Sequence, residues 1–225
     1  MDRRTTLKSE ILEFVAKQDP TELMGEADKT ALKAMLDELT TMTPVPEPIR
    51  HQDQVEGVWE SLFTSFGAKH SDDQPMQHTT TLAIQSFGNY PMVPVHVNEI
   101  TQEILSETQA YNNVVFVQNE DRTANAIIVV EGNYSEDPED PKRFMVAFSG
   151  VSLHGADGQS DKELREQFGL DPDEPLRKAF RPPALHSDIV YLDENVRINY
   201  GKLGGFYLLR RLDREGYSIA YPAAA

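Results

Sequence analysis

The stretch that decides the fold reads Val190-Tyr191-Leu192-Asp193-Glu194-Asn195-Val196-Arg197-Ile198-Asn199-Tyr200, then Gly201-Lys202-Leu203-Gly204-Gly205, then Phe206-Tyr207-Leu208-Leu209-Arg210-Arg211-Leu212. Two runs rich in β-branched and aromatic residues flank a glycine-dense link, the pattern of strand, turn, strand. Val196, Ile198 and Tyr200 alternate with Arg197 and Asn199, so a strand here buries one face and wets the other. Gly201, Gly204 and Gly205 supply the positive φ angles of a tight reversal. This end of the chain is β-sheet.

Working back from it, strand signals recur at short intervals from about residue 55. Gly57 to Phe66, Thr79 to Ser86, Val93 to Val97, Ile100 to Leu105, Val114 to Gln118, Ala124 to Val130 and Arg143 to Leu153 are the candidates. Turn chemistry separates several of them: Gly88-Asn89-Tyr90-Pro91, Asn112-Asn113, Asn119-Glu120-Asp121 and Glu136-Asp137-Pro138-Glu139-Asp140-Pro141. Eight or nine short antiparallel strands in meander order suggest an up-and-down barrel or a sandwich.

The first 43 residues are helical instead. Leu7, Ile11, Leu12 and Val15 make one apolar stripe that ends at Asp19-Pro20, and Leu32, Met35, Leu36 and Leu39 make a second after Asp28, read as its N-cap. Thr43-Pro44-Val45-Pro46-Glu47-Pro48 breaks the second helix into a stiff connector. Residues 1–48 thus read as a helical arm and 49–225 as a β domain. The arm is too small to form its own core and is expected on the outside or open end of the sheet. One further helix is expected where Ser160-Asp161-Lys162-Glu163 forms a capping box, with Gly169 as its stop. Proline-rich residues 171–183 lead from it to the last strands.

Composition narrows the function classes. Lys and Arg number 21 against 37 Asp and Glu, a formal net charge of −16, which repels phosphate backbones and argues against nucleic acid. Lys202, Arg210, Arg211 and Arg214 form the one concentrated basic cluster, whose plainer reading is a solvated strand end. There are no cysteines, which removes thiolate chemistry, disulfides and cysteine-ligated metals. No apolar run is long enough to span a bilayer, and the start lacks the apolar core of a signal peptide. Peripheral contact with a membrane remains open.

Three segments, in order, resemble the plastid-lipid-associated protein family, the plant-type fibrillins. They are Leu36-Asp37-Glu38-Leu39-Thr40-Thr41 with Thr43-Pro44-Val45-Pro46; Val55-Glu56-Gly57-Val58-Trp59-Glu60-Ser61-Leu62-Phe63-Thr64-Ser65; and Tyr191-Leu192-Asp193 through Arg197-Ile198, Gly201 and Phe206. Thr43 stands where the family has asparagine, Phe63 where tyrosine is usual, and Tyr200 where arginine is frequent. The resemblance implies a mainly β, lipocalin-like antiparallel up-and-down barrel with an N-terminal helical arm and one inserted short helix. It also implies a non-enzymatic protein that binds or shelters a carotenoid, quinone or other photosynthetic lipid. The setting implied is the thylakoid membrane or its neighbourhood, in a cyanobacterium (cytoplasmic face or cytoplasm) or in a plastid.

The residues add detail. Gly57-x-Trp59 is similar to the first-strand signature of lipocalins, in which the indole closes the barrel floor; a plain core tryptophan is the competing reading. The indole face wants a cation, and Arg197, Arg210 and Arg211 are candidates. If Trp59 points inward, strand alternation sends Ser61 and Phe63 inward too, giving an apolar wall with a hydroxyl. Tyr191, Asp193, Arg197 and Phe206 complete the candidate ligand-binding set, Asp193 and Arg197 as head-group contacts; core packing for the aromatics and a turn cap or ion pair for the charges are the alternatives.

No catalytic residues and no metal ligands are nominated. Gly150-Val151-Ser152-Leu153-His154-Gly155 misses the Gly-x-Ser-x-Gly elbow by one residue, and an alternating strand lacks its sharp turn. His70 beside Asp72 and Asp73 reads as a polar loop rather than a metal site. Two other readings stay open: an enzyme like the bilin lyases, on a related barrel, and an interaction barrel filled by its own side chains.

Overall fold

The computed structural model describes residues 2–19, 24–65, 81–83, 90–156, 158–179, 183–202 and 206–220. Ten strands form one antiparallel sheet: β1 (Gly57–Ser65), β2 (Thr81–Ala83), β3 (Pro94–Leu105), β4 (Ala110–Asn119), β5 (Asn125–Glu136), β6 (Arg143–Gly155), β7 (Arg177–Ala179), β8 (Leu185–Leu192), β9 (Val196–Gly201) and β10 (Phe206–Leu212). The hydrogen-bonded order runs β1-β10-β9-β8-β6-β5-β4-β3, and β3 pairs back onto β1, so eight strands close into a ring. The two short strands stand off it, β2 on β3 and β7 on β6. The expected up-and-down barrel is therefore present, and closure leaves the ring without an edge.

Register distinguishes the two faces. Trp59 lies opposite Arg211 on β10 and Gln102 on β3, and Arg197 lies opposite Leu209 and Leu192. Trp59, Leu192 and Leu209 share a buried cluster with Tyr134 and Phe144 from the far side of the ring, so this face is the interior. A second interior cluster of Val115, Val117, Ile128, Val151 and Leu153 lines the other end.

Both ends are covered. At the Trp59 end the Pro-rich connector continues into a 3₁₀ turn (Pro48–Arg50), which hydrogen-bonds the β5–β6 hairpin through Ile49 N to Pro141 O at 3.2 Å. A short helix (Gln52–Val55) follows, and Val45, Ile49 and Val55 pack against Trp59. At the other end the inserted helix (Asp161–Gln167) carries the expected capping box on Ser160, stops at Gly169 with φ 61°, and buries Leu164 and Phe168 in the upper cluster.

The arm lies on the outer face. Helices α1 (Arg3–Ala16) and α2 (Glu26–Thr40) bury Leu7, Ile11, Leu32, Leu36 and Leu39 against Phe63, Tyr191, Ile198, Phe206 and Leu208, all from the neighbouring strands β1, β8, β9 and β10. Helix α2 starts two residues before the expected Asp28 cap, with Gly25 at the N-cap. Asp193 fixes the arm's edge: Lys8 Nζ lies 2.8 Å from its Oδ2, Tyr191 donates to the same oxygen at 2.7 Å, and its Oδ1 accepts from Asn195 N and Val196 N to cap the β8–β9 turn.

Other expectations shift. The two strands read across Val93 to Leu105 are one, bulged between Val97 and Glu99. Asn112-Asn113 is not a turn but lies inside β4, and the reversal falls earlier, with Gln109 at φ 55°. Proline-rich 171–183 contains β7, too short to show a period. Gly201 ends β9 without a positive φ, and Gly204 and Gly205 lie outside the described residues, as does His70-Asp72-Asp73.

Two outcomes follow. Leu36→Ala removes a fully buried side chain between arm and barrel, and urea denaturation should show a loss of about 2–5 kcal/mol. Burial pushes the Asp193 carboxyl up, but Lys8, Tyr191 and the two backbone amides outweigh it and hold it below the ordinary carboxylate range. A depressed folded-state pKa gives stability that is complete at neutral pH and disappears as pH falls through that pKa. Asp193→Asn should therefore cost about 2–3 kcal/mol at pH 7, with the gap to the parent protein narrowing under acid.

Candidate functional site

The interior floor is built around Trp59. Its indole is fully buried and donates to Val55 O at 2.8 Å, which ties the strand to the helix beneath it. Two guanidinium groups lie over the ring, Arg197 Cζ at 4.7 Å and Arg211 Cζ at 4.4 Å from its centroid. The cation expected on the indole is thus doubled, and Arg210 is instead paired with Glu60 outside. Gly57 explains the Gly-x-Trp spacing: its φ of 127° disfavours other residues, and a Cβ there would come within 2.9 Å of Arg211 Nη1.

The two arginines differ in how they are satisfied. Arg211 donates to the backbone carbonyls of Glu56, at 2.7 Å, and Gln54. Arg197 is completely buried and donates only to Gln102 Oε1, leaving its Nε and Nη1 without hydrogen-bond partners. Among the described residues no carboxylate pairs with Arg197. Burial pulls its pKa down to about 10, a trend Tyr111 opposes and Arg211 adds to. Burial also lowers Arg211, with Glu56 opposing.

Other polar groups share this floor. Gln102 Nε2 donates to Asn113 Oδ1 at 3.1 Å, and Asn199 Nδ2 donates to Ser187 Oγ at 2.9 Å while Asn199 Oδ1 has no partner. Ser61 contacts Thr64 through their hydroxyls. Tyr207 faces the same space, and burial pushes its phenol up to about 12, with Tyr111 adding to the effect. Above the floor the lining turns apolar. Inward-facing Val97, Ile100 and Phe148 keep part of their surface accessible, as does Tyr207 beside the floor.

The nominated residues divide between two faces. Trp59 and Arg197 meet inside, and Ser61 shares their face. Phe63 does not: a bulge between Ser61 and Phe63 breaks the alternation, moving Phe63 opposite Leu208 and beneath the arm. A bulge between Ile189 and Tyr191 does the same to Tyr191. Phe206 packs with Phe63 at 6.2 Å, also beneath the arm, and Asp193 is a turn cap and ion-pair partner. Gln102, Asn113, Asn199 and Tyr207 were missed. In Asn199 the signal was present as the polar half of the strand alternation, read there as facing water.

Outside the barrel, Ser152 Oγ lies 2.8 Å from His154 Nε2 and 3.3 Å from Glu131 Oε1, whose other oxygen Arg177 holds at 2.7 Å. Both residues sit in regular β6, with none of the strand-to-helix turn that presents a hydrolase serine. The basic cluster near the last hairpin is neutralised piecewise, Arg210 by Glu60 and Arg214 by Glu99 at 2.6 Å. No group of metal-binding side chains occurs among the described residues.

Comparison with curated proteins finds no match, and neither does comparison with solved structures. A family model does match: PAP_fibrillin, over residues 5–210, which takes in the arm, the Trp59 strand and the Arg197 hairpin together. The chain belongs to the PAP_fibrillin family of plastid-lipid-associated proteins.

Proposed function

We propose that this protein binds one hydrophobic small molecule inside its barrel, and that it holds a carotenoid, quinone or other photosynthetic lipid at or near a thylakoid membrane. The observation that carries the reading is the interior lining: Val97, Ile100 and Phe148 face inward and keep accessible surface, as does Tyr207 beside the floor. An eight-stranded barrel has room for one small ligand or for its own side chains, and a lining that stays accessible favours the first. Apolar walls above a few fixed polar groups suit a long hydrocarbon carrying one head group. Family membership supports the lipid class and the photosynthetic setting. No helix among the described residues is long and apolar enough to cross a membrane, so the membrane contact in this reading is peripheral.

Trp59 is the sole tryptophan and lies in the interior, so its emission reports on the space above it. Delipidated protein titrated with palmitic acid, a short-tailed quinone and a carotenoid should show saturable, one-to-one quenching by at least one of them. Ile100→Phe, which fills the lining, should weaken that binding about tenfold. Absence of saturable quenching with all three ligands overturns the proposal.

A further inference from the structure

The barrel floor holds a cation whose charge nothing among the described residues balances. Arg197 is completely buried, donates to a single neutral amide oxygen, and has Nε and Nη1 unpartnered. Burying an unpaired charge is costly, and proteins ordinarily meet that cost with an opposite charge and full hydrogen bonding. Here the nearest charge makes it worse: Arg211 lies over the same indole ring. Trp59 offsets part of the cost through its π face, but a π face is no conventional hydrogen-bond acceptor and leaves Nε and Nη1 unpaired. Asn199 Oδ1, also buried and unpartnered, shows that the polar floor is incompletely satisfied by the protein itself.

The polarity is also graded along the barrel. Arg197, Gln102, Asn113, Asn199 and Ser187 lie towards the Trp59 end, among the apolar side chains of its cluster. Val115, Val117, Ile128, Val151 and Leu153 line the other, where the buried Asn119 is satisfied by Gln167 O and the Thr123 and Ala124 amides. Such a gradient fits a molecule with its head at the floor and its tail in the upper half. It does not fit a hydrocarbon that is apolar at both ends.

Resting on the binding role proposed above, we infer that the ligand class is an amphiphile with a single anionic head, a long-chain carboxylate, and that Arg197 is the side chain that anchors it. The carboxylate supplies the charge and the acceptors that the guanidinium lacks; because Nε and Nη1 have no accessible surface in this structure, its entry requires the neighbouring floor side chains to move. A neutral quinone or ester supplies acceptors without charge, and a carotene supplies neither.

The test compares palmitate with methyl palmitate, equal in chain length and different in head charge, on the delipidated full-length protein. Palmitate should bind at least about tenfold more tightly, the worth of one charge-assisted hydrogen bond in a buried site. With carboxyl-¹³C palmitate, the bound acid should stay ionised at pH values where free palmitate protonates. Arg197→Met replaces the buried cation by an apolar side chain of similar length. It should fold with unchanged or higher thermal stability, lose the preference for palmitate, and still bind the methyl ester. If the variant fails to fold, the palmitate–ester ratio and the ¹³C titration of the parent protein decide alone. Equal affinity for acid and ester, or a bound carboxyl that protonates as free palmitate does, overturns the anchor while leaving hydrophobic binding intact. Binding of neither compound, nor of the quinone or carotenoid, overturns the binding role itself.

Discussion

Everything in the interior is arranged about one contact, the Arg197 guanidinium against the Trp59 indole. It places a fully desolvated cation at the point where β1 meets β3 and β10 and the ring closes. A cation over a buried indole gains more than it would in water, but much less than a salt bridge of equal burial would supply in direct charge attraction. The surrounding sequence accommodates this arrangement. Gly57 makes room for the second guanidinium, the carbonyls of Gln54 and Glu56 receive it, and the connector from Val45 to Val55 covers the floor from below. The Pro-rich segment thus has a packing role as well as a linking one.

The second constraint is the pair of bulges in β1 and β8. Each inserts one residue and turns the strand's later side chains to the opposite face. In β1 the inward Trp59 precedes the bulge and the outward Phe63 follows it; in β8 the inward Ile189 precedes the bulge and the outward Tyr191 follows it, and both aromatics join the apolar surface on which the arm sits. The arm's attachment therefore draws on the same two irregularities that change which side chains of β1 and β8 face the interior. A strictly alternating β1 would carry Phe63 into the barrel and strip the arm of one of its contacts.

The sequence revealed the architecture more fully than the site. Periodicity marked the arm, the inserted helix and most of the ring, because each has a repeating burial pattern that residue order alone exposes. The Gly-x-Trp pair and the need for an arginine over the indole were also legible, since both follow from the chemistry of one aromatic side chain. Bulges have no sequence period, so Phe63 and Tyr191 were assigned to the interior along with their neighbours. Asn112 and Asn113 carry turn chemistry yet serve inside β4, where Asn112 accepts at 3.1 Å from Gly132 N, beside the register shift of the β5–β6 pairing. Arg197 was nominated for its motif, but that it is buried and uncompensated depends on β3 crossing behind it, nearly a hundred residues away along the chain.

The central claim is that this closed sheet encloses an occupied space rather than a solid core. Native mass spectrometry of protein isolated gently from its own source addresses it most directly, with the organic extract identified alongside. The account predicts a one-to-one complex whose added mass disappears on delipidation and reappears in the extract as a single lipid. A bare polypeptide mass at every stage, with nothing in the extract, would contradict it.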